Sequence, residues 1–254
     1  EHVTPAIEQI IAENQAAIKV LKKSRSRNFR NMVNQLDQLD DRLSQAWSPV
    51  SHMNSVVNND SLRQAYNHCL SLLSEYSTAL GQDQQLFSIY QALDQGEEFD
   101  LLNLAERKAV KNALRDFRLS GVDLKGGLKE QFADIKKKLS EITSRYSEHV
   151  MDATDSWRKV LEQVDELRGM PENAIALTKQ SAERENEQGY LLTLDFPCYL
   201  PVMTHCENRE LRKEMYIAFT TRASDQGPGL ANFNNSQLMQ EILVQRKALA
   251  GILG

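Results

Sequence analysis

Little in this sequence interrupts a helix. Eleven glycines and six prolines are spread over 254 residues, too few breaks for a many-stranded fold, so long helices are expected. The three cysteines, Cys69, Cys198 and Cys206, are an odd number scattered along the chain. That argues against a disulfide framework and for a reducing compartment, and leaves them as small buried hydrophobes. No apolar stretch approaches the roughly 20 residues of a membrane-spanning helix, and the N-terminus lacks the basic-then-apolar pattern of a signal peptide. A cytoplasmic protein with no membrane partner is expected. Positive charge is also in deficit: 30 Lys and Arg against 35 Asp and Glu give a net charge of −5. Such a field repels phosphate backbones, so nucleic acid is not an expected partner.

What is present is amphipathic periodicity, in a chain that is 41% hydrophobic and 26% charged. Thr4-Pro5 reads as an N-cap with proline at the first helical position, followed by Ile7, Ile10, Ile11, Ile18 and Leu21 on one face. The basic run Lys22 to Arg27 then reads as a surface loop. A second helix turns Val33, Leu36, Leu39, Leu43 and Trp47 inward and is expected to stop at Ser48-Pro49, because proline disfavours helical geometry in the residue before it. Ser61 and Gln64 form a capping-box pattern for a third helix. Its apolar residues Leu62, Tyr66, Cys69, Leu73, Tyr76 and Leu80 step by three and four. Shorter helices follow at 84–93 and at 104–119.

After Gly126-Gly127, Leu128, Ile135, Ile142 and His149 recur every seven residues, as do Phe132, Leu139, Tyr146 and Ala153. This two-row seam lasts about 26 residues, roughly 39 Å of helix, and reads as a core seam. Asp134 with Lys138 and Glu141 with Arg145 are placed to pair on the solvated side. Beyond Trp157 the pattern changes. The segment at about 156–161 is short and that at 190–195 has strand-like composition; the two are expected to form a two-stranded element, with a helix between them opened by Pro171 and closed near Gly189. Another helix covers about 209–222, and Ser224 to Asn235, with Gly227-Pro228-Gly229, is the clearest loop. Leu238, Ile242, Leu249 and Ile252 form a last apolar stripe running to Gly254. Exposed without a partner, it would support weak self-association. The fold class is therefore mainly α, a multi-helix array with long antiparallel helices and one small β element.

Chemistry-bearing constellations are scarce. The histidines His2, His52, His68, His149 and His205 include no two within five residues of each other, so no H-E-x-x-H zinc helix occurs. His205-Cys206 places two ligand types side by side, but neighbours on a helix point about 100° apart. His149 lies in the seam and reads as a hydrogen-bonded core residue. Asp40-Asp41 and Glu97-Glu98 sit among polar residues and read as solvated. No nucleophile elbow, C-x-x-C pair or phosphate loop is present. No residue is assigned as catalytic, cofactor-binding or metal-ligating.

Several segments fit neither stripe nor turn: SPVSHMNS from Ser48, LLSEYST from Leu72, NALRDFRLSG from Asn112, GMPE from Gly169, GYLLTLDFPCYLPVMTHC from Gly189 and TRASDQGP from Thr221. In this order they resemble the N-terminal part of the thimet-oligopeptidase family of zinc metallopeptidases, over essentially the whole chain. The resemblance implies a cytoplasmic enzyme that cleaves short peptides, including cleaved signal peptides, in a channel between two largely helical halves. The family's zinc ligands and general base belong to an H-E-x-x-H motif and a downstream glutamate that match no position here. The chain then corresponds to residues 1–254 of an N-terminal helical region, one domain or two lobes (1–155 and 156–254), partnered by a catalytic domain beyond it. Alone it is expected to hold no zinc and to be inactive. The residues by themselves also leave open a stand-alone helical interaction module.

Overall fold

The computed structural model describes residues 2–227 and 232–254. Among them are ten α-helices and one two-stranded sheet: α1 Val3–Lys23, α2 Phe29–Val56, α3 Asp60–Gly81, α4 Gln84–Gln95, α5 Leu104–Leu119, α6 Leu128–Ser156, β1 Arg158–Leu161, α7 Glu172–Arg184, β2 Tyr190–Thr193, α8 Phe196–His205, α9 Arg209–Thr221 and α10 Ser236–Leu253. The mainly α class holds. The chain forms two compact units, Glu1–Ile142 with Ile242–Gly254, and Thr143–Glu241, whose boundaries fall within α6 and α10.

In the first unit, α1 packs on α2 and α3, and α4 packs on α5. The faces follow the expected stripes: Ile7, Ile18, Met32, Leu43, Cys69 and Leu86 share one core, and Phe29, Val33, Tyr90, Val110 and Leu114 share a second. Leu36 and Phe117 pack against both. The helix starts are set by Asn and Asp, whose short side chains accept from first-turn amides that have no helical partner. Asn28 accepts from Asn31 N, Asn59 from Leu62 N, and Asp83 from Gln85 N and Leu86 N. Asn103 and Glu106 close a reciprocal capping box on α5.

Three sequence expectations are corrected here. The start of α1 is one residue before Thr4, with His2 at the N-cap position and no side-chain cap. The start of α3 is capped by Asn59, while the Ser61 hydroxyl donates to Asn59 Oδ1 instead of forming the box with Gln64. Pro49 does not end α2, which continues to Val56. Proline removes one backbone hydrogen bond at a cost of about 3 kcal/mol, but packing on both sides holds the helix. Leu43 and Asn54 are buried on either side of it, and Trp47 stacks on Tyr66 with ring centroids 5.0 Å apart.

The seam of α6 begins one position later than the heptad reading: Leu128 is 43% exposed, while Phe132, Ile135, Ile142 and Ala153 are buried. Its solvated face is tied by Lys137 to Glu75 of α3 at 2.7 Å, a pair that spacing within α6 did not foresee.

In the second unit, β1 and β2 pair antiparallel with Arg158 opposite Thr193 and Leu161 opposite Tyr190. Both strands are shorter than expected, since Ser156 closes α6 and β2 ends at Thr193. The connecting helix α7 ends at Arg184, well before Gly189, where Asn186 takes a left-handed conformation with φ 59°. Gly189, φ +102°, then brings the chain so close to the Leu161 carbonyl that no side chain fits. Leu161, Leu167, Leu192, Leu194, Val202 and Met215 form the core. Helix α8 is not among the elements expected from the sequence. Pro197 lies in its first turn, where the amide has no helical partner to lose. Of the expected 224–235 loop, Pro228 and Gly229 lie outside the described residues.

Candidate functional site

The site-forming feature of the first unit is a cleft of about 760 Å³ walled mainly by α2 and α3, with α5 at one side. It exists because the inward stripes of α2 and α3 are both claimed by α1 and by the α4–α5 pair, leaving a trough between the two long helices. Leu43, Trp47, Leu73, Leu80 and Phe117 give it an apolar and aromatic wall. Asp37 and Asp40, one turn apart on α2, and Asp116 on α5 bring carboxylates to it, and no Lys or Arg lines it. Asp116 is engaged by Arg115 at 2.8 Å. Asp37 and Asp40 have no ion-pair partner among the described residues.

The electrostatics follow from that crowding of one sign in a partly shielded place. Burial pushes the Asp37 carboxyl above the usual carboxylate range, and the neighbouring charge of Asp40 adds to it. Burial likewise pushes the Tyr90 hydroxyl up, with Asp37 contributing. Tyr76 is raised by burial, against a contact with Asn14 and with a contribution from Asp40. The arrangement offers two carboxylates and two phenols to a ligand on an apolar floor. It contains no nucleophile–base pair and no general base poised against one.

The residues that sequence spacing had brought forward fall elsewhere. His205 is exposed, and the Cys206 thiol is buried and donates to the Glu166 carbonyl at 3.4 Å. His149 Nδ1 lies 2.9 Å from Asn235 Oδ1, and Asn235 also donates to the Tyr146 carbonyl, which makes His149 the hydrogen-bonded seam residue that its position implied. Of the acidic pairs, Asp41 accepts from Gln45, and Glu98 accepts from the Phe29 amide at 3.0 Å, so Glu98 caps α2. Within the basic run, Lys22 pairs with Asp83, and Arg27 folds back onto the carbonyls of Lys22 and Ser24. Cys69 and Cys206 are buried, Cys198 is half-buried, and all three are free. Among the described residues no three His, Cys, Asp or Glu side chains converge as a metal site would require. No helix among them is long and apolar enough to cross a membrane.

Asp37 and Tyr90 went unremarked in the sequence. The signal was there for Asp37, an acidic residue placed between Leu36 and Leu39 and followed one turn later by Asp40. Nothing local marks Tyr90.

Residues 7–129 match the N-terminal domain of the neurolysin/thimet oligopeptidase family, and residues 202–254 match peptidase family M3. Oligopeptidase A of Haemophilus influenzae is 47% identical over 254 residues, all of this chain and 37% of that protein. Oligopeptidase A of Salmonella typhimurium is 47% identical over 255 residues, again all of this chain and 38% of the relative. A probable cytosolic oligopeptidase A of Arabidopsis thaliana is 29% identical over 260 residues, covering all of this chain and 36% of its own length. The chain thus spans somewhat over a third of the length of the curated relatives it matches.

Proposed function

Since this chain belongs to peptidase family M3 and aligns along its whole length with the N-terminal part of oligopeptidase A proteins, we propose that it serves as the non-catalytic wall of a peptide channel in a zinc metallo-oligopeptidase. The substrates of the whole protein are short peptides, cleaved signal peptides among them, and its compartment is the cytoplasm. The observation that carries the reading is the unbroken collinear similarity at 47% identity over 254 residues. The absence of a nucleophile–base pair in the cleft and the lack of H-E-x-x-H in the sequence support placing the chemistry outside this chain.

A wall has a physical task of its own. Admitting an extended peptide while excluding a folded protein is a matter of channel width, and orienting the peptide is a matter of where charges and apolar surfaces lie along the wall. Zinc supplies Lewis-acid activation of water when it is bound in the whole protein. The residues of this chain contribute no ligand to it and no proton to the reaction. Residues 1–254 act as a single N-terminal region in this reading, with the catalytic domain as their partner.

The test is hydrolysis of an internally quenched octapeptide by the purified chain supplied with zinc. No turnover is expected, whereas the protein extended through its catalytic domain cleaves the same peptide and loses activity to a chelator. Chelator-sensitive turnover by the 254-residue chain alone would refute the reading. A stand-alone interaction module draws support from the exposed Leu243 and Val244 on α10, which are 65% and 63% accessible. The same side chains, rather than the Leu238 and Ile242 of the expected stripe, would carry weak self-association, since Leu238 and Ile242 are buried.

A further inference from the structure

We infer that the cleft between α2 and α3 binds the basic side chain of a peptide, with its ammonium or guanidinium between Asp37 and Asp40 and a neighbouring peptide carbonyl on the Tyr90 hydroxyl. Three observations converge on it. The cleft's volume, about 760 Å³, falls in the size range of small-ligand sites. Its wall is apolar and aromatic along Leu43, Trp47, Leu73 and Phe117, a surface suited to the methylene stem of lysine or arginine and to a cation lying over an aromatic face. Its charged groups are of one sign, and the two on α2 have no ion-pair partner among the described residues.

A further observation is independent of the acidic pair. Tyr90 is 6% exposed, lines the cleft, and its hydroxyl has no hydrogen-bond partner among the described residues. Its ring is held by a tilted contact with Phe117 at 5.5 Å between centroids. The buried ring fixes the hydroxyl at the cleft wall, so an arriving acceptor meets a donor already in position. A carboxylate and a phenol set side by side ask for a donor cation and an acceptor together, which a basic residue within a peptide supplies and a free diamine does not. That the ligand is a peptide at all agrees with, and rests on, the oligopeptidase reading. The preference for a cation does not.

Trp47 lines the cleft and reports on it. Trp157, the other tryptophan, packs against the core of the second unit and is silenced by Trp157→Phe. In that background the chain is titrated with a capped pentapeptide carrying lysine between two leucines, with the same peptide carrying glutamate, and with 1,5-diaminopentane. Saturable change of Trp47 emission is expected with the lysine peptide. The glutamate peptide and the diamine should each bind about tenfold more weakly, the scale of one or two solvent-screened charge contacts, since Asp37 and Asp40 are both exposed. Asp37→Asn with Asp40→Asn should weaken the lysine peptide about tenfold and flatten its salt dependence, Tyr90→Phe should weaken it severalfold, and Asp41→Asn, one residue outside the lining, should leave it unchanged. Circular dichroism confirms that each variant is folded. Equal binding of lysine and glutamate peptides, absence of saturation, or insensitivity to Asp37 and Asp40 would each overturn the assignment. Tighter binding of the diamine would overturn the peptide as its ligand. None of these readouts involves hydrolysis, so the channel-wall reading fails or stands separately.

Discussion

The two units solve the same packing problem in different ways. In the second, a two-stranded ribbon, three helices and a dense set of fully buried side chains, Leu167, Leu192, Val202 and Met215, leave no room to adjust, and backbone passes so close to backbone that only glycine fits at positions 169 and 189. In the first, long helices are specified by amphipathic stripes and Asn or Asp caps, and a trough about 760 Å³ in volume remains between α2 and α3. Shape is fixed by steric exclusion in the one and by periodicity in the other. Periodicity tolerates a cleft, and the cleft is where the unpaired charge sits.

The largest expected effect tests steric exclusion. Gly189→Ala would drive a methyl group into the Leu161 carbonyl at φ +102° and should destabilise the second unit by about 3 kcal/mol or more, read as a fall in the melting temperature followed by Trp157 emission. A loss under about 1 kcal/mol would show that this unit adapts as readily as the other.

Next in size is a pair of matched truncations. Leu192→Ala should cost about 3–4 kcal/mol, since an enclosed cavity is left behind, and Leu43→Ala about 2 kcal/mol, since its space joins a trough already open to water. Denaturant unfolding measures both, and equal costs would erase the contrast between the units.

A smaller effect decides how the first unit's helices begin. Asn59→Ala removes the acceptor of the Leu62 amide and should cost about 1 kcal/mol, while Ser61→Ala should cost a few tenths. The reverse order would restore the capping box read from Ser61 and Gln64.

The subtlest effect is in thiol reactivity. Burial pushes both the Cys69 and the Cys198 thiols up, so native alkylation at neutral pH should be slow and should begin at half-buried Cys198. Of the two fully buried thiols, Cys69 in the first unit should label before Cys206 in the second, because opening of the less tightly packed unit exposes it sooner. Mass spectrometry of a time course orders the three.

How much of this was legible in the sequence follows the same division. The limits of α5 were readable because its apolar faces and its ends agree, with Leu104 just past a capping Asn103 and Leu119 just before Ser120-Gly121. The second strand was readable from β-favouring composition at Tyr190 to Thr193, and its partner from the break in pattern after Trp157. Pro49 misled because a local rule was overridden by packing from Trp47 and Asn54, which no window around the proline contains. Helix α8 was missed because a proline in a first turn is indistinguishable, in sequence, from a proline that ends a strand. The cleft could not be foreseen at all. Asp37 stands out between Leu36 and Leu39, but no local pattern brings Tyr90, some fifty residues away in the chain, near it.

The central claim is that this chain shapes and orients while the chemistry is done elsewhere, and its most direct test is the zinc content of the purified 254-residue protein after equilibrium dialysis against trace zinc. Far less than one ion per chain is expected. A full equivalent retained through dialysis, and displaced only by a strong chelator, would contradict it.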